Sequence, residues 1–316
     1  MAQGVAGTSS GGAALSTPLP TWHPVSDRES MPTVSQPRGP SLSSAWGTSE
    51  VGAVSNANVL VTLPVYNEER LLYGSVRALI TKLDSAGLRY TLSIAEDGST
   101  DGTLEIVRGL QKEFPAILAQ TDPQRLGRGL ALRKFWAETP ADVYLFVDAD
   151  LAAGPAAVLA VLRELGNGAD VVTGSRYCPG AIVRRPGLRK AASLGYNWIV
   201  RRMFHEPIRD HQCGLKAFTR EALSRLLEAS QENSWAWDTE ILVLAQMAGL
   251  RVREVPVEWT EHRSVRTPLP RLASDIYLHG TALLRLKSRV MRASMYRGRR
   301  DPGGRGAQSS APAPSE

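Results

Sequence analysis

The chain has 316 residues, with 37 Lys and Arg against 31 Asp and Glu and a formal net charge of +6. Its apolar share of 43% is enough for a sizeable core, which excludes a chain that is disordered throughout. The two cysteines, Cys178 and Cys213, show no C-x-x-C spacing. This excludes a disulfide framework or a cysteine-rich zinc cluster and favours a reducing compartment.

Residues 1–56 are rich in Ser, Gly, Pro, Ala and Thr and have no sustained apolar period. Such a segment cannot bury enough surface to offset the entropy of ordering, so we predict a disordered leader. It lacks the basic and apolar regions of a signal peptide, and no segment of the chain offers the ~18 apolar residues that a spanning helix needs. The sequence therefore predicts a cytoplasmic protein.

From Val59 to Tyr177 strand-like and helix-like segments alternate. Val59–Tyr66 is typical of a buried strand, and Glu68–Leu83 carries its apolar residues at helical spacing. The alternation predicts an α/β fold with a mostly parallel sheet and helices on both faces. Further strands are expected at Tyr90–Asp97, Ala116–Asp122, Asp142–Asp150 and Ala169–Tyr177, and further helices at Thr103–Phe114, Leu130–Glu138 and Pro155–Leu165.

After Tyr177 the pattern is less regular. We predict a basic helix over Gly187–Phe204, whose mixture of Arg, Lys and apolar residues suits the interface of an anionic membrane or, alternatively, a solvated face. The segment 268–300 repeats this mixture and predicts a basic amphipathic helix that lies on a membrane or forms a dimer contact. Residues 301–316 are expected to be a disordered tail. Other expected elements are a strand at Leu215–Phe218, helices from Arg220 and over Asp238–Met247, and one strand over Leu250–Glu261.

Acidic and amide side chains end three of the predicted strands. Asn67 and Glu68 follow the first strand, Asp97 ends the second, and Asp148 and Asp150 end the fourth. In open α/β sheets the ligand crevice lies at the carboxyl ends of the strands, although such acids also cap helices. Residues i and i+2 of an extended strand point the same way, so the D-x-D pair predicts a Mg²⁺ or Mn²⁺ site.

The turn "RLGRGLAL" (Arg125–Leu132) places two glycines around Arg128 just before a helix. Such a turn can present backbone N–H groups and the arginine to a phosphate, and an ordinary loop is the alternative. We take Arg128 as a candidate contact for a phosphate of a bound ligand.

Several motifs occur together in a fixed order. They are "PVYNEE", "EDGSTDGT", "LGRGLAL", "VDADL", "GSRY", "RDHQCGLKAF" and "WDTE". With them the chain resembles the family 2 glycosyltransferases of GT-A (Rossmann-like) fold, and among these the polyprenyl-phosphate sugar synthases that act on dolichyl phosphate. The resemblance implies one GT-A domain over residues 57–267.

The resemblance implies an inverting enzyme that moves a hexose from UDP-glucose or GDP-mannose to a polyprenyl or dolichyl phosphate. It assigns the metal, Mg²⁺ or Mn²⁺, to Asp148 and Asp150. It further assigns nucleotide-sugar binding to Pro64, Tyr66, Asn67, Glu68, Asp97 and Asp148, catalysis to Asp150, Arg176 and Asp238, acceptor-phosphate binding to Arg189 and Ser193, and the sugar pocket to Asp210, Gln212, Cys213 and Glu240.

The sequence departs from the mannose synthases in one place. Ala152 stands where they carry a Gln available to the metal, so the metal would take an extra water. The motif "RDHQCGLKAF" is more similar to that of the glucosyl enzymes, which favours a UDP-sugar.

Two other functions stay open at this point. A phosphate acceptor is already ionised and needs no general base, whereas a hydroxyl acceptor would need Asp238 or Asp210 to remove its proton. A catalytically silent GT-A binding protein would keep the fold without turnover. A dinucleotide enzyme is disfavoured because no G-x-G-x-x-G follows the first strand. Nucleic-acid binding is disfavoured because few aromatic residues that could stack on nucleobases lie among the Arg and Lys residues. The oligomeric state is not predicted.

Overall fold

The structure is a computed structural model that describes residues 54, 56–184, 187–261 and 269–300. The predicted tail over residues 301–316 lies outside the described residues, as does nearly all of the predicted leader over residues 1–56. Val54, which falls in that leader, is buried in the core. The folded part therefore begins before residue 57.

A seven-stranded sheet forms the centre of the fold and confirms the predicted α/β class. Its strands are β1 (Val59–Val65), β2 (Tyr90–Asp97), β3 (Leu118–Asp122), β4 (Val143–Val147), β5 (Val171–Ser175), β7 (Leu215–Thr219) and β8 (Val252–Pro256). The order in space is β3-β2-β1-β4-β7-β5-β8, and β7 pairs antiparallel with both β4 and β5 while the other pairs are parallel. Two short strands, β6 (Ile182–Arg184) and β9 (Glu258–Thr260), pair beside it.

Helices cover both faces of the sheet, as the alternating pattern predicts. The helices are α1 (Leu72–Ser85), α2 (Thr103–Glu113), α3 (Arg128–Glu138), α4 (Pro155–Gly166), α5 (Gly187–Phe204), α6 (Arg220–Ala229), α7 (Trp237–Met247) and α8 (Leu269–Arg300). One buried cluster joins the sheet to α1, α2 and α4, and another joins it to α3, α6 and α7. Among the described residues, no helix combines the length and the apolar character needed to cross a membrane.

Two predicted boundaries are wrong for identifiable reasons. The first helix begins at Leu72 instead of Glu68, because the backbone N–H of Glu68 donates to Thr103 Oγ1 at 2.8 Å and holds the chain in a turn. The single strand expected over Leu250–Glu261 is divided into β8 and β9. At Val257 the backbone N–H pairs with Ser175 O at 3.2 Å, and the chain then leaves the main sheet to pair with β6.

The core behind the carboxyl end of β4 is aromatic. The Trp136 ring packs against the rings of Tyr144, Phe146, Phe218 and Trp237 at centroid distances of 5.8 to 6.3 Å. A cluster of this kind resists rearrangement because its planar rings pack closely at edge-to-face and tilted angles. It therefore gives β4, β7 and α7 a rigid support.

This packing predicts the stability of a matched pair of variants. Trp136→Ala removes a buried ring and should lower the free energy of unfolding by about 3–5 kcal/mol. Trp198→Ala removes an exposed ring on α5, 59% accessible, and should change it by less than about 0.5 kcal/mol. Urea unfolding followed by circular dichroism measures both, and equal losses in the two variants would contradict this description of the core.

Candidate active site

The D-x-D pair lies in a turn at the carboxyl end of β4. The strand ends at Val147, and the backbone N–H of Leu151 donates to Asp148 O at 2.9 Å. The expectation that the pair extends from a strand is therefore wrong, because the turn sets the direction of each carboxylate. The capping alternative is also wrong, since α4 begins after Gly154 without a side-chain cap.

Asp148 begins a row of four charged side chains that we call the charge chain: Asp148, Arg128, Asp238 and Lys216. Arg128 pairs with Asp148 through Nη2, and its Nη1 donates to Asp238 Oδ2 at 2.9 Å. Lys216 Nζ donates to Asp238 Oδ1 at 3.0 Å. Arg128, Asp238 and Lys216 are buried, and the Asp148 side chain is 20% exposed. Each charge has an opposite neighbour, which offsets the cost of removing it from water.

Asp148 is the member of the charge chain that borders the cleft. Burial raises the pKa of its carboxyl to about 7, against the opposing effect of Arg128. Gly214 allows it to sit there, because a Cβ on that residue would overlap the Asp148 carboxylate. The backbone N–H of Asp148 also donates to Gly214 O at 2.7 Å. Gly214, at the start of the strand β7, is therefore part of the site.

The two aspartates fit a divalent cation. Carboxylate oxygens are ligands that Mg²⁺ and Mn²⁺ prefer, and the space beside Gly214 admits the Asp148 carboxylate but no added side chain. Within the described residues no group of three or more His, Cys, Asp and Glu side chains is placed to hold a metal. The protein would supply Asp148 and Asp150 only, so other ligands would come from water and from a bound diphosphate.

Hydrogen bonds join the loops after β1 and β2. Asn67 accepts from the backbone N–H of Thr100 at 2.8 Å, and its own N–H donates to Ser99 Oγ at 3.0 Å. The Tyr66 ring lies under the guanidinium of Arg125 at 3.8 Å. These contacts bring the predicted nucleotide residues Tyr66, Asn67 and Glu68 to one edge of the sheet, with Pro64 just before them on β1.

Asp97 holds the turn before α3. Its carboxylate accepts from the backbone N–H groups of Leu126 at 2.6 Å and Gly127 at 3.0 Å. Burial raises the pKa of this carboxyl, although both hydrogen bonds act against the rise. The N–H groups of Gly129 and Leu130 donate to Asn233 O at 2.9 and 3.3 Å. These four amides have protein partners, which favours the ordinary-loop alternative for this turn.

Arg176 is fixed by Asp210 on the other side of β4. Its Nε and Nη2 donate to the two Asp210 oxygens at 2.7 and 2.8 Å. Burial alone would raise the pKa of Asp210, but the guanidinium outweighs it and holds that pKa below its usual value. Nη2 also lies 3.4 Å from Ser193 Oγ on α5. Arg189, the other predicted acceptor residue, pairs with Glu261 at 3.2 Å.

Two residues expected in the sugar pocket have other roles. Cys213 is fully buried in the core, where burial raises the pKa of its thiol. Glu240 accepts from the backbone N–H groups of Gln231 and Glu232 and pairs with Arg289 of α8. Cys213 thus packs in the core, and Glu240 holds the segment before α7 and the helix α8. Asp210, also expected in the sugar pocket, accepts hydrogen bonds from Arg176 at both of its carboxylate oxygens.

An open cavity of about 160 Å³ lies on this side of the site and is lined by Arg176, Gln212, Trp235, Asp238 and His279. It brings together Arg176, Asp238 and Gln212 as expected. Sequence reasoning missed Trp235 and His279, which belong to no expected site. It also missed Lys216, for which the signal was a lone lysine in the apolar run "GLKAF".

Comparisons with known proteins find a matching family model and similar sequences. A family model described as glycosyl transferase family 2 matches residues 60–227. Glycosyltransferase AglD of Haloferax volcanii is 38% identical over 234 residues, which are 73% of this chain and 37% of that protein. Dolichyl-phosphate beta-glucosyltransferase ALG5A of Trichomonas vaginalis is 31% identical over 211 residues, which are 64% of this chain and 65% of that protein. The chain thus spans less than two thirds of either relative.

A solved structure resembles the fold as well. Glucosyl-3-phosphoglycerate synthase from Mycobacterium tuberculosis, in complex with Mn²⁺, uridine diphosphate and phosphoglyceric acid, aligns with a TM-score of 0.60 at 21% identity. The alignment covers 78% of this chain and 84% of that one. This likeness confirms the expected GT-A type of α/β fold.

The contact between Gly214 and Asp148 yields a testable variant. In Gly214→Ala the new methyl group should displace the Asp148 carboxylate from Arg128, and the affinity for Mn²⁺ in the presence of UDP should fall about 10- to 100-fold. Electron paramagnetic resonance of free Mn²⁺ measures this affinity. Gly74→Ala, where a Cβ meets nothing within 4 Å, is the control. Unchanged Mn²⁺ affinity in Gly214→Ala would show that Asp148 is not a ligand.

Proposed function

We propose that this chain, which belongs to glycosyl transferase family 2, transfers a hexose from a nucleotide-diphosphate sugar to a polyprenyl or dolichyl phosphate with inversion. The observation that carries the proposal is the position of Asp148, held by the charge chain at the carboxyl end of β4 with Asp150 beside it. The name of the relative ALG5A, a dolichyl-phosphate beta-glucosyltransferase, supports glucose as the sugar. The motif "RDHQCGLKAF" favours UDP as the nucleotide. GDP-mannose is the alternative donor.

The donor would lie along the carboxyl ends of β1, β2 and β4. The fastened loops after β1 and β2 would hold the nucleotide, with Asp97 keeping the turn before α3 in place. Asp148 and Asp150 would hold a divalent cation, which supplies charge neutralisation to the leaving diphosphate. Arg176 would add a fixed positive charge on the other side of β4, because Asp210 already orients its guanidinium.

The pairing of the acids favours a phosphate acceptor over a hydroxyl. Both oxygens of Asp238 accept from cations, Arg128 and Lys216, and both oxygens of Asp210 accept from Arg176. A carboxylate in this state must give up a charged partner before it can take a proton from a hydroxyl. A phosphate monoester is largely ionised at neutral pH and needs no such base.

The acceptor side also has a basic and apolar surface. On α5 the exposed side chains of Leu194, Trp198 and Ile199 stand beside the exposed Arg201 and Arg202. Apolar side chains interspersed with basic ones are typical of a helix at the interface of an anionic membrane. We propose that the protein is peripheral, on the cytosolic face of a membrane. The helix α8 adds exposed apolar side chains at Tyr277, Leu278, Leu284 and Met291.

A transfer assay with matched variants tests the donor site. With UDP-glucose, Mn²⁺ and a polyprenyl phosphate, Asp148→Asn and Asp150→Asn should each lower kcat by ~10²–10³, because a preorganised stabiliser is lost. Asp142→Asn changes an exposed aspartate at the opposite end of the same strand and serves as the control. Full activity in both cleft variants would refute the donor site.

The same assay separates the alternatives. An enzyme that uses a hydroxyl acceptor would transfer the sugar to a glycan or small alcohol and not to the lipid phosphate. Repeating the assay with GDP-mannose in place of UDP-glucose identifies the donor. A catalytically silent binding protein would bind UDP without transferring or hydrolysing the sugar.

Sedimentation with liposomes tests the membrane surface. The protein should pellet with vesicles that contain anionic lipid at low salt and be released at high salt, since each base contributes ~1 kcal/mol that salt screens. Arg201→Glu with Arg202→Glu should lower the bound fraction at least about tenfold, while Arg108→Glu on α2 should not. Recovery of the wild-type protein in the supernatant at both salt concentrations would contradict the membrane assignment.

A further inference from the structure

The helix α8 supplies one wall of the cavity beside the charge chain. Four of the lining residues come from other elements: Arg176 after β5, Gln212 before β7, Trp235 just before α7 and Asp238 in its first turn. The fifth, His279, is on α8. A helix near the end of the chain therefore contributes a side chain to the centre of the site.

Several contacts fix α8 in this place. Leu283 and Leu286 are buried against Val200 of α5 and Val243 of α7. Lys287 Nζ donates to Met203 O, and Arg289 pairs with the buried Glu240.

Helical periodicity places His279 on the docked face. Positions 279, 283, 286 and 290 follow the three-and-four spacing of one helix face, and Leu283, Leu286 and Val290 of that set pack in the interface. His279 therefore faces the cleft for the same reason that these apolar residues face the core.

The imidazole is held on the α5 side of the cavity. Its ring lies edge to face against Tyr196 of α5, with 5.5 Å between the centroids. The Tyr196 hydroxyl is 2.8 Å from Thr239 Oγ1 on α7, which fixes the tyrosine in turn. Ser193, one turn earlier on α5, is the residue that meets Arg176. His279 and Arg176 thus approach the same face of α5.

The order of the strands separates this cavity from the nucleotide. The loops that would hold the nucleotide follow β1 and β2, which lie on one side of β4. Arg176 and Gln212 are attached to β5 and β7, which lie on the other side. The cavity is therefore on the half of the site from which an acceptor would approach the sugar.

We propose that His279 binds the phosphate of the acceptor, donating an imidazole N–H to a phosphate oxygen beside the guanidinium of Arg176. This inference rests on the proposed function and adds α8 to the acceptor site. The chemistry suits a phosphate monoester with a long apolar tail. The phosphate would meet two N–H donors in the cavity. The helices α5 and α8, which carry the exposed apolar side chains of Trp198 and Leu278, would contact the tail.

Acceptor kinetics test the role of His279. His279→Ala should raise the KM for the polyprenyl phosphate about tenfold, with the KM for UDP-glucose and the midpoint of thermal unfolding unchanged. His279→Gln keeps an N–H donor and should recover most of that loss. Ser288→Ala, at an exposed position of the same helix, should behave like the wild type.

Direct binding separates failure of this inference from failure of the proposed function. The binding of a short isoprenyl phosphate to the full chain loaded with UDP and Mn²⁺ is measured by titration calorimetry. If the wild type binds and transfers, an unchanged His279→Ala overturns the role of His279 alone. A parallel rise in both KM values, or no recovery in His279→Gln, would also overturn it, because a packing role would produce those results. If the wild type neither binds nor transfers, the proposed function fails and this inference fails with it.

Discussion

The site depends on one buried row of alternating charges. Asp148, Arg128, Asp238 and Lys216 come from the end of β4, the start of α3, the start of α7 and the middle of β7. Buried charges cost free energy unless each is paired, so these pairs form only when all four elements meet in register. The pairing that offsets this cost also sets the direction of Asp148. The pairs that allow these charges to be buried therefore also position the proposed donor site.

The antiparallel strand β7 makes this arrangement different from a simple parallel sheet. Inserted between β4 and β5, it places Gly214 against the Asp148 carboxylate and Lys216 against Asp238. It also divides the cleft. The loops after β1 and β2 lie on one side, and Arg176, α5 and α8 lie on the other, so a donor and an acceptor would approach from opposite sides of β4.

Local patterns in the sequence were enough to predict the elements and the acids at the strand ends. The alternation of strands and helices predicted a sheet edge with Asn67, Asp148 and Asp150 at the strand ends, and they are found there. The pairings were beyond reach, because Arg128 and Asp238 are 110 positions apart and only the fold brings them together.

The same limit explains the residues that were missed or misplaced. Glu240 was expected in the pocket but fastens α8, since a buried carboxylate takes the nearest N–H groups and Arg289. His279 carried no motif, and its place follows from the packing of a helix that the sequence suggested would lie on a membrane. The composition of residues 268–300 predicted an amphipathic helix but could not show that it docks on α5 and α7.

A crystal structure of the protein soaked with UDP-glucose and Mn²⁺ would test the central claim most directly. The account predicts an anomalous manganese peak between the donor diphosphate and the carboxylates of Asp148 and Asp150, with Arg128 still paired to Asp238. A nucleotide bound elsewhere at saturating concentration, with both aspartates turned away from it, would contradict the account.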